Sequence, residues 1–372
     1  MVIQHIKDED GIRHTHQPTT LLDPLPASDL ITPTPATEAD LLRVHSPEYL
    51  DALWGLSEGR AVPDRKRFGF GGLDNPPFPG MWEASLLYAG GSLAGARMVS
   101  QGGYDAAFNT SGGLHHAQRD RAAGFCTVND CALVAHFLLD GGAERVAYVD
   151  IDAHHGDGTQ ALFYDDPRVL TLSLHETPET LFPRVTGFAD EVGEGAGVGY
   201  NANLPLAPGS GDSLTAEAFG AAFVPLLRAF DPDYIILQVG ADAHFQDPLA
   251  HLCLTTRGWL GLAQSVLALG KPTVALGGGG YNLKTVARQW TLLYGALSGQ
   301  TFPQAVPEAY AEEWGITALH DTSGPSAAET AVVFDQIYRR RRADTAVMDA
   351  RAYARRGVEM IRERVFPMHG IG

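Results

Sequence analysis

From residue 104 to residue 297 the hydrophobic pattern switches repeatedly between short, continuous apolar runs and longer stretches of helical period. Tyr104 to Asn109, Arg145 to Ile151, Arg168 to Leu174, Tyr234 to Val239 and Pro272 to Leu276 read as strands. Their unbroken apolar character predicts burial on both faces. Between them the pattern predicts several helices. One runs from about Met81 to Val99 and one follows an Asn129 cap. One runs from a Thr215 cap to about Phe230, one from about Arg257 to Leu269, and one beyond Tyr281 to about Leu297. Such alternation predicts an α/β fold with a mostly parallel sheet and crossover helices. No linker interrupts it, so residues 1–372 are expected to form one domain.

The flanks read differently. Pro18, Pro24, Pro26, Pro33 and Pro35 break any long element, so residues 1–36 are expected to be irregular. Thr37-Glu38-Ala39-Asp40 has the form of a capping box, and Ser46-Pro47 starts a helix through about Leu56. Gly69 to Gly80 is a Gly/Pro-rich loop. A glycine-rich loop from Thr177 to Asn203 carries Phe182, and its length marks it as functional. Residues 301–372 are expected to add two helices to the same domain, with Arg339 to Arg342 as a solvated helix face.

The polar clusters all stand just after strands, where open α/β sheets bind ligands. The run ending at Ile151 passes into Asp150, Asp152, His154, His155 and Asp157. Asp152 and His154 are two residues apart, so an extended chain would turn both to one side. With Asp242 they make a ligand set of two carboxylates and one imidazole, which leaves a position open for water and substrate. Zn2+ suits such a set, and its oxygen content also admits ferrous or manganous ions. His115 and His116 follow Gly112-Gly113 and read as a proton-transfer pair, with Asp150 and Asp157 as acceptors that fix their tautomers. Tyr281 follows four glycines, Gly277 to Gly280, and its phenol reads as a donor to a developing oxyanion. No Lys-Ser/Thr follows those glycines, as a nucleotide loop would need. Phe125 and Phe182 read as walls of an apolar channel lined in part by Leu249, or else as a small local core.

Composition narrows the function classes. At 45% apolar and 19% charged, the chain is a folded, globular one. A net charge of −17 argues against nucleic-acid binding. No apolar run reaches membrane-spanning length and no signal segment opens the chain, so a cytoplasmic protein without a membrane partner is expected. Cys126, Cys131 and Cys253 show no paired spacing, which speaks against disulfides and thiolate zinc sites.

Taken jointly, five stretches resemble the arginase/deacetylase superfamily and, within it, the zinc-dependent histone deacetylase family, in particular its bacterial acetoin-utilisation branch. They are Gly112 to His116, Gly124-Phe125-Cys126, Asp150 to Thr159, Gly240 to His244 with Asp247-Pro248-Leu249, and Gly277 to Tyr281. They stand in the family's order and cover roughly Gly69 to Leu297. The resemblance implies the arginase/deacetylase fold and removal of acetyl groups from lysine side chains of proteins or peptides. It implies Zn2+ on Asp152, His154 and Asp242, His115 paired with Asp150, and His116 paired with Asp157 as the principal base and acid. Tyr281 would polarise the acetyl carbonyl. Gly124, Phe125, Phe182 and Leu249 would line the lysine tunnel, and Asp74 would grip the substrate backbone at the rim. The resemblance also implies K+ or Na+ sites, one at Asp150, Asp152, His154, Ser173 and Leu174, the other at Phe163, Asp166, Val169 and Tyr200.

Two departures stand out. The family's opening strand and His-Pro-x-x-x-x-Arg-like segment have no clear counterpart, so that either the start is truncated or the segment is rebuilt around Arg13 to Pro18, and the region after Thr301 carries no family motif. Gly156 occupies the position where a two-metal arginase needs a further aspartate, so one catalytic metal is expected. Two rival readings remain. One is a deacetylase of small acetylated amines such as polyamines. The other is an inactive acyl-lysine binding module, against which Tyr281 and both histidines argue.

Overall fold

The computed structural model describes the backbone of residues 2–3, 30–339 and 349–372, and the side chains of residues 30–337 and 349–372. Among the described residues one parallel sheet holds eight strands. In chain order they are β1 (Val2–Ile3), β2 (Leu30–Ile31), β3 (Ala106–Asn109), β4 (Val146–Asp150), β5 (Val169–Glu176), β6 (Asn201–Leu206), β7 (Tyr234–Gln238) and β8 (Thr273–Leu276). They lie side by side as β2-β1-β3-β8-β7-β4-β5-β6.

The helices are α1 (Glu38–Leu41), α2 (Pro47–Ser57), α3 (Met81–Ser100), α4 (Asp130–Asp140), α5 (Asp157–Leu162), α6 (Asp212–Phe230), α7 (Thr256–Leu267), α8 (Leu283–Ser298), α9 (Glu308–Trp314), α10 (Ala327–Phe334) and α11 (Ala350–Arg364). Strand alternation sends successive residues to opposite faces. Ala147, Val149, Leu170, Leu172, Ile235 and Leu237 enter one core with Phe219, Trp259, Leu293 and Ile361 of α6, α7, α8 and α11. Val146, Tyr148, Ile236 and Val274 enter the other, with Leu50, Leu93 and Leu133 of α2, α3 and α4. This double cover is why the strands read as unbroken apolar runs.

Local chemistry starts several helices as expected. Thr37 and Asp40 form a capping box, Ser46 caps α2, and Asn129 caps α4 by accepting from the Ala132 N–H at 2.9 Å. Other expectations change. α6 begins at Asp212 rather than after Thr215, with Gly211 as its cap, so Thr215 sits inside the helix. The loop after β5 ends at Tyr200, because Asn201 to Leu206 pairs with β5. Asn201, Asn203 and Pro205 disguise that strand, and a proline is tolerated there because β6 is an edge strand. Residues 1–36 are not wholly irregular, since Val2–Ile3 pairs with Leu30–Ile31 on one side and with β3 on the other, runs too short for any period to reveal. Among the described residues after residue 300 stand α9, α10 and α11 rather than two helices. The segment around Arg13 to Pro18 and the basic residues Arg340 to Arg342 lie outside the described residues.

Candidate active site

The carboxyl ends of β3, β4, β7 and β8, neighbours in the sheet, deliver the site. β4 stops at Asp150, so Asp152 and His154 stand in the loop that follows rather than on the strand. Strand alternation therefore does not bring them together; hydrogen bonds do. The Asp152 N–H donates to Asp150 Oδ1 at 3.0 Å, the His154 N–H donates to Asp152 Oδ1 at 2.9 Å, and the Ala153 N–H donates to Asp242 Oδ1 at 2.8 Å. Asp242 follows β7 and is fully buried. One ligand atom each from Asp152, His154 and Asp242 lies within 4.8 Å of the others. His154 Nδ1 stands 2.9 Å from Asp242 Oδ2 and 3.2 Å from Asp152 Oδ1. One cation among the three groups would satisfy both carboxylates and the imidazole together. Burial, then the Asp152 charge, push the Asp242 carboxyl up to about 7. This donor set fits a divalent ion with an open position.

Glycines let the backbone close around these carboxylates. A Cβ on Gly240 would collide with the Asp152 carboxylate, and one on Gly279 with that of Asp242. Gly278 and Gly280 take φ of 107° and 138°, a region that favours glycine, and so turn β8 back toward the site. The Gly279 N–H donates to Asp152 Oδ2 at 2.9 Å, as does Gln238 Nε2. Tyr281, presented beyond the glycines, has its ring 6.5 Å from that of His154, edge-on. Desolvation and then the Asp242 and Asp152 charges raise its phenol, so the hydroxyl stays protonated and able to donate.

The histidine pair sits beside the ligand set. His115 Nδ1 is 2.7 Å from Asp150 Oδ2 and His116 Nδ1 is 2.7 Å from Asp157 Oδ1; a carboxylate only accepts, so each Nδ1 carries the proton. The two Nε2 atoms are 3.1 Å apart. Burial lowers His115, but the Asp150 and Asp152 carboxylates outweigh it and hold the imidazole at about 9. Burial and the neighbouring charge of His115 take His116 down to about 4. These shifts put the charge of the pair on His115, whose Nε2–H then faces the Nε2 lone pair of the neutral His116.

Two aromatic side chains close the approach. Phe182 meets the His116 ring edge-on with centroids 4.9 Å apart, and Phe125 meets Tyr281 edge-on at 5.9 Å. Gly124 leaves room between them, since a Cβ there would strike the His116 ring and press on Phe182. Phe125 is 53% exposed and held at a φ of 67°, an unfavourable backbone for an aromatic residue. Leu249 is exposed on the loop behind Asp247, and Asp74 is exposed on the loop before α3 and takes part in none of these contacts.

The residues named for monovalent cations fall into two groups. Ser173 faces Asp150 in the β4–β5 register, with Leu174 next to it, so these join Asp152 and His154 at one strand end. Phe163, Asp166 and Val169 follow one another through the turn from α5 into β5, and the Tyr200 carbonyl accepts the Thr171 N–H beside them at 2.9 Å.

The histone deacetylase domain matches this chain over residues 5–297. The chain belongs to the histone deacetylase family. The acetoin utilization protein AcuC of Bacillus subtilis is 37% identical over 318 residues, covering 84% of this chain and 82% of that one. Histone deacetylase clr6 of Schizosaccharomyces pombe is 36% identical over 307 residues, covering 82% and 75%. The crystal structure of an HDAC homolog from Aquifex aeolicus superposes with a TM-score of 0.78 at 32% identity, covering 86% of this chain and 91% of that one. A structure of an HDAC homolog complexed with SAHA gives a TM-score of 0.77 at the same identity. This deacetylase is thus a hydrolase with an AcuC-like sequence and a histone-deacetylase fold.

Several contributors to the site were not singled out from the sequence. Asp130, in the first turn of α4, accepts the Gly113 and Leu114 N–H groups at 3.0 and 2.8 Å and so aims the histidine pair. Tyr148 donates to Asp150 Oδ2 from within β4. Gln238 had a legible signal, a polar residue ending an otherwise apolar buried strand; Asp130 and Tyr148 had none.

Proposed function

We propose that this deacetylase removes acetyl groups from lysine side chains of proteins or peptides, using one Zn2+ ion on Asp152, His154 and Asp242. The observation that carries the reading is the buried set of Asp152, His154 and Asp242 with the rings of His116 and Tyr281 5.9 and 6.5 Å from that of His154. The ion supplies Lewis acidity and a reactive water at neutral pH. With substrate bound, the contact between the two Nε2 atoms opens and His116 Nε2 takes a proton from the attacking water, while Asp157 holds the His116 Nδ1–H. The Tyr281 hydroxyl donates to the acetyl oxygen as negative charge builds on it. His116 then returns the proton to the lysine nitrogen as the C–N bond breaks, so acetate and a free amine leave. His115, held charged by Asp150, stabilises charge beside the reacting carbon. Phe125 and Phe182 confine the aliphatic stem of the lysine and exclude water, which strengthens every electrostatic contact within.

The exposed aromatic Phe125, with Leu249 and Asp74 also exposed, supports a substrate that extends beyond the tunnel. Acetate release should therefore show a kcat/KM for an acetyl-lysine peptide well above that for an acetylpolyamine. The reverse preference would move the substrate assignment to small amines.

A further inference from the structure

Beyond β8 and α8, a residue outside the family-matched span reaches back to the site. Asp321 lies beyond residues 5–297, in the connection between α9 and α10. Its Oδ2 accepts from His244 Nε2–H at 2.9 Å and from the Thr256 N–H at 2.8 Å, and its Oδ1 accepts from Arg288 Nη1 at 3.0 Å. His244 is fully buried, and the Arg288 and Asp321 side chains are 4% and 8% exposed. Arg288 belongs to α8, which starts two residues after Tyr281.

His244 stands two residues after the candidate ligand Asp242. Its Nδ1 accepts the Gln246 N–H at 3.2 Å and its backbone carbonyl accepts the Asp247 N–H at 2.9 Å, so His244 holds the 244–247 turn through ring and backbone together. That turn holds Tyr281. Asp247 Oδ2 accepts the Tyr281 N–H at 2.8 Å, and the Gln246 carbonyl accepts from Asn282 Nδ2 at 2.9 Å. A continuous set of hydrogen bonds therefore runs from Asp321 through His244 and Asp247 to the Tyr281 backbone. On its other side Asp321 fixes α8, the helix that Tyr281 leads into.

We infer that Asp321 and His244 are positioning residues for Tyr281, with the segment after residue 300 acting as a brace that sets where the phenol stands. Neither residue touches the reacting groups. The inference rests on the proposed role of Tyr281 for its kinetic readout, and on geometry alone for its structural one.

Three variants separate the brace from general stability. His244→Leu removes the donor to Asp321, and His244→Gln keeps one. Asp321→Asn keeps an oxygen for Arg288 but loses the acceptor shared by His244 and Thr256, which avoids leaving the Arg288 charge with no partner. Each variant is first shown by thermal melting to be folded. In His244→Leu and Asp321→Asn, amide exchange at residues 281–282 should quicken, and kcat on an acetyl-lysine peptide should fall about 10- to 100-fold with KM changed less than about twofold. His244→Gln should recover most of the loss. Added to Tyr281→Phe, Asp321→Asn should cost nothing further, since both act on one group. Unchanged exchange at residues 281–282 in folded variants would overturn the inference. So would losses that multiply with that of Tyr281→Phe. A wild type without turnover would remove the proposed function and leave the exchange result to decide the brace. Should His244→Leu fail to fold, Asp321→Asn and His244→Gln carry the same comparison.

Discussion

Around the ligand set, single atoms decide what the site can be. Gly240 has no alternative at its position, because a methyl group there would enter the space of the Asp152 carboxylate. Gly240→Ala is expected to cost about 1 to 3 kcal/mol in stability through overpacking and to weaken metal retention, read by competition with a chelator. Unaltered metal affinity would mean that Asp152 is not held where the ligand set needs it. Tyr281→Phe removes one oxygen at the end of a ring whose position Asp247 sets through the backbone. Its kcat should drop about 100- to 1000-fold while the melting temperature stays put. A loss confined to KM would assign the phenol to substrate binding alone.

At the scale of elements, the histidine pair depends on what sits under it. His45, between α1 and α2, is fully buried; its Nδ1–H donates to the Gln118 carbonyl at 2.9 Å and its Nε2 accepts the Asn129 N–H at 3.0 Å. Asn129 caps α4 and donates from Nδ2 to the His115 and Ala117 carbonyls at 3.1 and 3.0 Å. A proton added to Nε2 would face the Asn129 N–H, donor against donor. Burial accordingly takes His45 down to about 4. The unfolded chain then binds more protons than the folded one between about pH 6.5 and 4, so this group's contribution is complete above pH 6.5 and declines as pH falls. Urea unfolding should lose roughly 2 kcal/mol more between pH 6.5 and 5 in wild type than in His45→Gln. Parallel losses in the two proteins would show that His45 is not the titrating group.

The elements themselves were legible in the sequence to unequal degrees. β4, β7 and β8 announced themselves because both faces of each are apolar, and α2 and α4 because Ser46 and Asn129 are caps by chemistry. β6 did not, because Asn201 and Asn203 turn inward to Gln160 rather than to a hydrocarbon core. Nor did α5, six residues long, which starts among charged residues of the site itself.

At the scale of the whole molecule, the parallel sheet gathers residues distant in sequence at one edge. His115, Asp152, Asp242 and Tyr281 follow four different strands, β3, β4, β7 and β8, which are adjacent in the sheet. Their identity was readable from motifs, since each stands at a strand end. Their convergence on one sheet edge was readable for the same reason; how Asp152 and His154 are set within it was not, because hydrogen bonds in the loop, rather than strand alternation, fix their positions. The Asp321 contact was invisible for a different reason: it joins residues 77 apart through a segment with no motif of its own.

The central claim is that one ion on Asp152, His154 and Asp242 is needed for amide hydrolysis. The most direct test strips the protein with a chelator and titrates Zn2+ back while acetate release from an acetyl-lysine peptide is followed. The account predicts no turnover in the stripped protein and recovery that saturates at one ion per chain. In an Asp242→Asn variant, recovery should require far more zinc or fail. Turnover that survives stripping, or that saturates only at two ions per chain, would contradict it.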